Sequence, residues 1–207
     1  GILYPHTKCY IGGGTVIDPQ SILKEMEGLH AHGIEYVKRL YISFYAHIVF
    51  PYHRLIDQLA EKKKGGAAIG TTGRGIGPCY TDKTARCGIR LADLVKAEVF
   101  REKLQKTLAV KNQELERLYD HPPLDFQPIF EEYRGYAERL ASFAAPVEEL
   151  LYGAGKRGEN ILFEGAQGAL WDVTFGTYPF VSSSRTLARG VASGLGLGPT
   201  KVDRVIG

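Results

Sequence analysis

Apolar residues recur along this chain in two rhythms, and the rhythm changes at turn residues. Residues 2–17 hold short apolar stretches around Gly12-Gly13-Gly14. Asp18-Pro19 then predicts a helix start, with a capping carboxylate and proline at the first helical position. Ile22, Leu23, Met26 and Leu29 follow at helical spacing, and Gly33 supplies a stop. Residues 36–50, rich in Tyr, Ile, Val and Phe, predict a buried strand and its continuation. A helix over 52–64 puts Leu55, Ile56 and Leu59 on one face. Its Lys62-Lys63-Lys64 run reads as a solvated end matched to the helix dipole. A long amphipathic helix is predicted over 91–119, with Val99, Leu104, Leu108, Leu115 and Leu118 among its apolar positions, and His121-Pro122-Pro123 breaks it. Further helices follow over 128–143 and 146–156. Residues 160–163 read as a short buried strand, 186–198 as a tightly packed helix of small residues, and 202–206 as the start of another strand.

Strands alternating with helices predict an α/β fold, a mostly parallel sheet flanked by helices, with a helical insertion over about 91–157. No repeat, low-complexity linker or domain boundary interrupts it.

Composition changes this picture little. The 207 residues are 44% hydrophobic and 24% charged, which excludes a disordered tail, a collagen-like fibre and a disulfide scaffold. Net charge is +3, too weak to argue for nucleic acid or a membrane surface. No apolar run approaches the roughly eighteen residues that span a bilayer. Cys9, Cys79 and Cys87 are odd in number and never spaced C-x-x-C, so free thiols in a reducing cytoplasm are expected, with no zinc cluster. His30 and His32, the only close histidine pair, end a helical pattern and do not imply a metal. The chain opens at Gly1 without methionine and ends within an apolar run, so a piece of a longer protein is expected. The 25 glycines are bunched, and the bunches carry the candidate chemistry.

The first bunch is Gly70-Thr71-Thr72-Gly73-Arg74-Gly75-Ile76-Gly77-Pro78. Such a loop can turn backbone N–H groups together into an anion-binding nest, and the threonine hydroxyls and Arg74 add donors. Lys83, Arg86 and Arg90 follow. In a helix Lys83 and Arg86 share a face, so Arg74, Lys83 and Arg86 are expected around one phosphate-sized place. The spacing matches neither a Walker loop, since Ile76 stands where lysine belongs, nor a dinucleotide fingerprint. A phosphate cradle and a simple connecting turn both remain open on spacing alone. The second bunch follows Phe163: Glu164-Gly165-Ala166-Gln167-Gly168-Ala169-Leu170-Trp171-Asp172. Ligands of open α/β sheets sit beyond strand carboxyl ends, and the Gln167 amide suits a base edge. Ser182, Ser183 and Ser184 offer phosphate donors or a polar cap for the next helix. Trp171 and Phe180 suit either base stacking or core packing.

Gly70 to Pro78, continued by Cys79-Tyr-Thr-Asp-Lys-Thr-Ala-Arg86, resembles the signature of the adenylosuccinate synthetase family. Phe163-Glu-Gly-Ala-Gln-Gly168, Gly176-Thr-Tyr-Pro179, Ser182-Ser-Ser184 and Val191-Ala-Ser-Gly-Leu-Gly-Leu-Gly-Pro199 resemble a second stretch of it, in the same order. That family joins IMP to L-aspartate using GTP and Mg2+. It phosphorylates the 6-oxygen of IMP and then displaces it with the aspartate amine. The resemblance implies that Thr72 binds the IMP phosphate, with Arg86 reaching in from the other subunit of a homodimer. It places Gln167 near the reacting 6-position, gives Ser182 a hydroxyl contact to the nucleotide, and makes Lys83 an active-site residue; Lys83 and Gln167 are the catalytic candidates. Ser182 stands where the family usually has threonine, Thr174 where it has aspartate, and Arg185 and Arg189 where it has asparagine and glycine. The family's Gly-Asp-Glu-Gly-Lys-Gly-Lys loop, carrying the magnesium and GTP-phosphate contacts, is not in these 207 residues, nor is the guanine-reading part. The resemblance therefore implies an incomplete fragment of a larger single domain, its central part, cytoplasmic, with no metal ligands of its own and inactive alone. A non-catalytic nucleotide- or RNA-binding module using the glycine loop is the alternative.

Overall fold

The computed structural model describes residues 1–198 and 202–206. Its centre is a three-stranded parallel sheet in the order β1-β3-β5, made of β1 (Cys9–Ile11), β3 (Leu40–Ser43) and β5 (Ala144–Ala145). The register pairs Cys9 with Leu40 and Ile42 with Ala144. A second parallel pair, β2 (Val16–Ile17) with β4 (His47–Ile48), sits beside it. Parallel neighbours need long crossovers, which the helices provide.

The first crossover is α1 (Pro19–Ala31), which buries Leu23 and Met26 and stops before Gly33 at φ +71°. Asp18 does precede it in extended conformation, but its carboxylate caps no backbone amide. It accepts from the Ser21 hydroxyl (2.8 Å) and pairs with Arg54 (2.5 Å). The next helix, α2 (Pro51–Lys64), buries Tyr52, His53, Ile56 and Asp57, whereas Leu55 and Leu59 are only half-buried. After α3 (Ile76–Ala85), the predicted 91–119 helix divides into α4 (Leu91–Leu94) and α5 (Ala97–Tyr119). Leu104, Leu108 and Leu115 are buried as expected, while Val99 and Leu118 face solvent. Then come α6 (Phe126–Leu140) and α7 (Val147–Lys156). Between these two the chain returns to the sheet as β5, so the 91–157 insertion is helical except for one strand.

The core lies where α5 and α6 close over the sheet. Phe50 stacks on Tyr133, Tyr52 and Phe100 with ring centroids 4.4, 5.4 and 6.0 Å away, and the Tyr133 hydroxyl donates to the Val49 carbonyl (2.8 Å). Large aromatic faces pack there, with the Tyr133 hydroxyl satisfied and the Tyr52 hydroxyl buried without a partner.

Three expectations from the last third are corrected. Residues 160–163 form no strand: no edge pairs with them among the described residues, and Leu162 is 87% exposed. Only Ile161 packs inward, against the cluster of Ala145, Val147 and Leu151. Residues 202–206 also carry no regular structure, and Val205 and Ile206 are exposed. The 186–198 helix contracts to α8 (Gly190–Leu195), and Pro199 of the second stretch lies outside the described residues. Among the described residues no helix is long and apolar enough to cross a membrane.

Candidate functional site

The glycine-rich loop runs from Gly70 to α3, and helix α2 holds it. Glu61 accepts from the amides of Gly70 (2.8 Å) and Thr71 (3.4 Å). Asp57 accepts from the Thr71 hydroxyl through Oδ1 and from the Gly75 amide through Oδ2, both at 2.9 Å. Gly75 has φ +78°, and a Cβ there would lie 2.6 Å from the Arg54 nitrogen, so only glycine lets the loop lie on the backbone of α2. Three of the N–H groups expected to converge on a phosphate, those of Gly70, Thr71 and Gly75, are therefore already taken by carboxylates of the chain. Thr72 is exposed and bonds to no described residue.

The second loop is organised by its own Asp172, a fully buried side chain. Its carboxylate collects the amides of Thr174 (3.0 Å), Phe175 (3.1 Å), Thr186 (2.9 Å) and Leu187 (3.4 Å). Burial alone raises a carboxyl pKa; these four amides outweigh it and bring Asp172 to about 2. Arg189 joins the same carboxylate at 3.4 Å while lying over the Phe175 ring, 3.7 Å from its centroid. The Gln167 backbone is left-handed at φ +79°, and its side-chain oxygen accepts from Ser184 (3.4 Å), whose hydroxyl also meets that of Ser182 (2.9 Å). Trp171 and Phe180 are exposed, so neither is a core residue.

Both loops meet at the first turn of α3, where a Cβ on Gly77 would come 3.1 Å from the Ser183 hydroxyl. Gly12-Gly13-Gly14 ties this arrangement to the sheet. The Gly14 amide donates to the Gly194 carbonyl of α8 (2.7 Å), and a Cβ on Gly14 would lie 2.5 Å from the Gly194 Cα. Glu148 of α7 accepts from the Gly13 amide (3.1 Å) and the Ser43 hydroxyl (2.7 Å). From α3, Tyr80 donates to the Gly14 carbonyl (3.1 Å), and Lys83 to the carbonyls of Gly13 (2.9 Å) and Gly14 (3.2 Å). Burial depresses the Lys83 pKa.

The far end of α3 is a second place. Lys83, Arg86 and Arg90 line one hollow of about 230 Å³ with Tyr45, His47 and the paired Asp93 and Lys103. Burial first, then Lys83 and Arg90, lower the His47 pKa to about 4, and its Nδ1 is buried without a partner. Lys83 and Arg86 do converge as expected. Arg74 does not join them: α3 has ten residues, a length of about 15 Å, and Arg74 precedes its start while Arg86 follows its end. Thr72 and Arg86 of one chain stand at opposite ends of the helix.

Sequence reading also missed the residues beneath α3. Asp82, 1% exposed, binds His53 of α2 (3.0 Å) and Lys111 of α5 (2.6 Å). Burial pushes the Asp82 carboxyl up, but the bonds from His53 and Lys111 bring it below its ordinary value. His53 Nδ1 accepts from the Phe50 amide (2.9 Å), which leaves its proton on Nε2 for Asp82. Burial lowers the His53 pKa, keeping the ring neutral. Lysine in an amphipathic helix gives no sign of burial, so the only available signal was its place on the apolar stripe with Leu104, Leu108 and Leu115. Among the described residues, no three His, Cys, Asp or Glu side chains cluster as a metal site.

A family model described as "Adenylosuccinate synthetase" matches residues 1–207. An adenylosuccinate synthetase of Caldanaerobacter subterraneus subsp. tengcongensis is 54% identical over 208 residues, covering 100% of this chain and 49% of the relative. One from Gloeothece citriformis is 52% identical, covering 100% of this chain and 46% of its own length. Among solved structures, fully ligated adenylosuccinate synthetase from Plasmodium falciparum superposes with a TM-score of 0.88 at 37% identity, covering 98% of this chain and 47% of that one. The chain spans about half the length of the curated relatives it matches.

Proposed function

The chain belongs to the adenylosuccinate synthetase family, and from that premise we propose that it supplies the IMP-binding half of a GTP-dependent ligase joining IMP to L-aspartate. The observation that carries this reading is the meeting of the two sequence-distant loops at the first turn of α3. Thr72, the free donor of the first loop, faces the IMP phosphate. Gln167, exposed in the second loop with its side-chain oxygen on the Ser184 hydroxyl, meets the base near the 6-position. Ser182 contributes a hydroxyl contact from beside Ser184.

The 6-oxygen of IMP is a poor leaving group until phosphorylated, after which the aspartate amine displaces phosphate. For that sequence, Gln167 holds the purine edge, and Lys83 keeps the Gly12-Gly14 turn closed against α3 near the nucleotide. The family's magnesium screens the phosphoryl charge when bound; its ligands belong to a part of the enzyme other than these residues, and no step here runs through it. GTP is the phosphoryl donor.

Arg86 cannot reach a phosphate at Thr72 of its own chain, because a helix about 15 Å long separates them. A homodimer in which Arg86 reaches the partner subunit's phosphate accounts for both ends of α3. The setting is cytoplasmic.

A coupled assay of GTP, IMP and L-aspartate checks this reading. The 207 residues alone bind IMP weakly without turnover, and turnover by them sinks that part. In a full-length synthetase carrying them, Arg86→Ala raises the KM for IMP about tenfold or more, the weight of one charged hydrogen bond. An unchanged KM removes Arg86 from the site. Titrating IMP and GMP at two salt concentrations separates a mononucleotide site, which prefers IMP, from a nucleic-acid surface, whose affinity falls steeply with salt.

A further inference from the structure

We propose that Asp57 is a positioning residue for the nucleotide phosphate: from α2 it fixes both flanks of the segment that presents Thr72. This rests on the reading of Thr72 as a phosphate donor. Asp57 is buried on α2, and its two oxygens divide their work. Oδ1 holds the Thr71 hydroxyl and Oδ2 the Gly75 amide, each at 2.9 Å, so residues 72–74 are bracketed by one rigid carboxylate. Gln58, one residue further along α2, donates to the Gly73 carbonyl inside that bracket (3.2 Å). The close approach of Gly75 to the Arg54 backbone shows the loop pressed onto the helix.

A carboxylate is the wrong charge to meet a phosphate directly, and both Asp57 oxygens are occupied by loop donors. Its effect on the anion therefore passes through the loop. Closing the Thr71 hydroxyl and the Gly75 amide leaves the Thr72 hydroxyl outward beside the exposed Arg74, held in one place before the ligand arrives. Prepaying the loop's ordering entropy in this way strengthens binding without adding a contact to the ligand. Glu61 grips the outer edge of the same loop, but from an exposed helix end shared with Lys64, and it brackets nothing.

The test compares IMP with inosine, which lacks the phosphate, as competing ligands of a full-length synthetase carrying this chain. Asp57→Asn and Thr71→Val each lower the IMP-to-inosine affinity ratio about tenfold, as expected for one lost hydrogen bond to a charged group, with kcat within about threefold. Thr71→Ser restores the ratio to within about twofold. Thr72→Ala, measured alongside, tests the underlying reading. An unchanged ratio in folded Thr71→Val, with a lowered one in Thr72→Ala, overturns the role of Asp57 alone. An unchanged ratio in Thr72→Ala overturns the phosphate reading and the proposal with it. Thr71 is exposed, so Thr71→Val remains decisive even where Asp57→Asn fails to fold.

Discussion

The two glycine-rich loops are both disciplined by a buried carboxylate, yet from opposite directions. In the first, Asp57 reaches in from another element, eighteen residues before the Gly75 amide it holds. In the second, Asp172 is part of the loop and gathers amides two to fifteen residues onward. Helix α2 therefore sets the shape of the first loop, and the second carries its own frame. A loop framed from outside inherits the position of its support. A loop framed from inside can keep its shape while the support moves. Arg189 falls within that internal frame, paired with Asp172 and lying over the Phe175 ring.

If this contrast holds, the largest effect comes from the support that α2 and α3 share. Asp82→Ala leaves Lys111 buried without its closest counter-charge and should cost about 3–5 kcal/mol in denaturant unfolding. The first loop should loosen with it, seen as faster amide exchange at Gly75. The second loop should keep Thr174 and Phe175 protected short of global unfolding. Loss of protection in both loops alike erases the distinction.

Next in size is a pH effect at the far end of α3. His47, with its pKa at about 4 in the folded chain against 6.5 ordinarily, stays neutral while the unfolded chain takes up a proton. Stability is full above pH 6.5 and falls as pH drops toward 4, by at most about 3 kcal/mol. His53 acts with the same sign. Asp82, depressed instead, begins to lose its contribution only as pH falls toward the ordinary carboxylate value, so it touches this window only at its acid end. Unfolding titrations between pH 7 and 4 on His47→Gln should show the slope reduced; an unchanged slope removes His47 as its source.

Asp172→Ala should act locally. Amide exchange at Thr174, Phe175, Thr186 and Leu187 accelerates at least about tenfold, while the amide of Gly75 does not change. Smallest is Ser182→Ala, which removes the bonds to the Ser184 hydroxyl and amide along with the proposed nucleotide contact, and should cost about 0.5–1.5 kcal/mol of nucleotide affinity, read by calorimetry with IMP.

Much of this was legible in the chain. The glycine bunches and the helix periodicity through Leu104, Leu108 and Leu115 are local properties, and the structure keeps them; Lys83 and Arg86 do line one hollow, but through the left-handed turn at Arg86 that ends α3 and not through a shared helix face. The failures are all non-local. Residues 160–163 have strand composition, but a strand exists only where an edge accepts it, and among the described residues none pairs there. Asp18 has the identity of a cap, but Arg54, thirty-six residues away, competes for its carboxylate. The loop glycines free their amides for an anion, yet whether an anion or Asp57 takes them depends on where α2 lies.

The sequence by itself determined the family, the alternation of helix and strand, and the donor chemistry of Thr72, Gln167 and Ser182, because these follow from residue identity and short-range spacing. Only the tertiary structure decided that Arg74 and Arg86 stand at opposite ends of α3, that Lys111 is drawn under it to neutralise Asp82, and that carboxylates already hold the amides of Gly70, Thr71 and Gly75. Charges and hydrogen bonds act over a few ångströms of space, whatever their separation along the chain, so their pairing is settled only when the chain has packed.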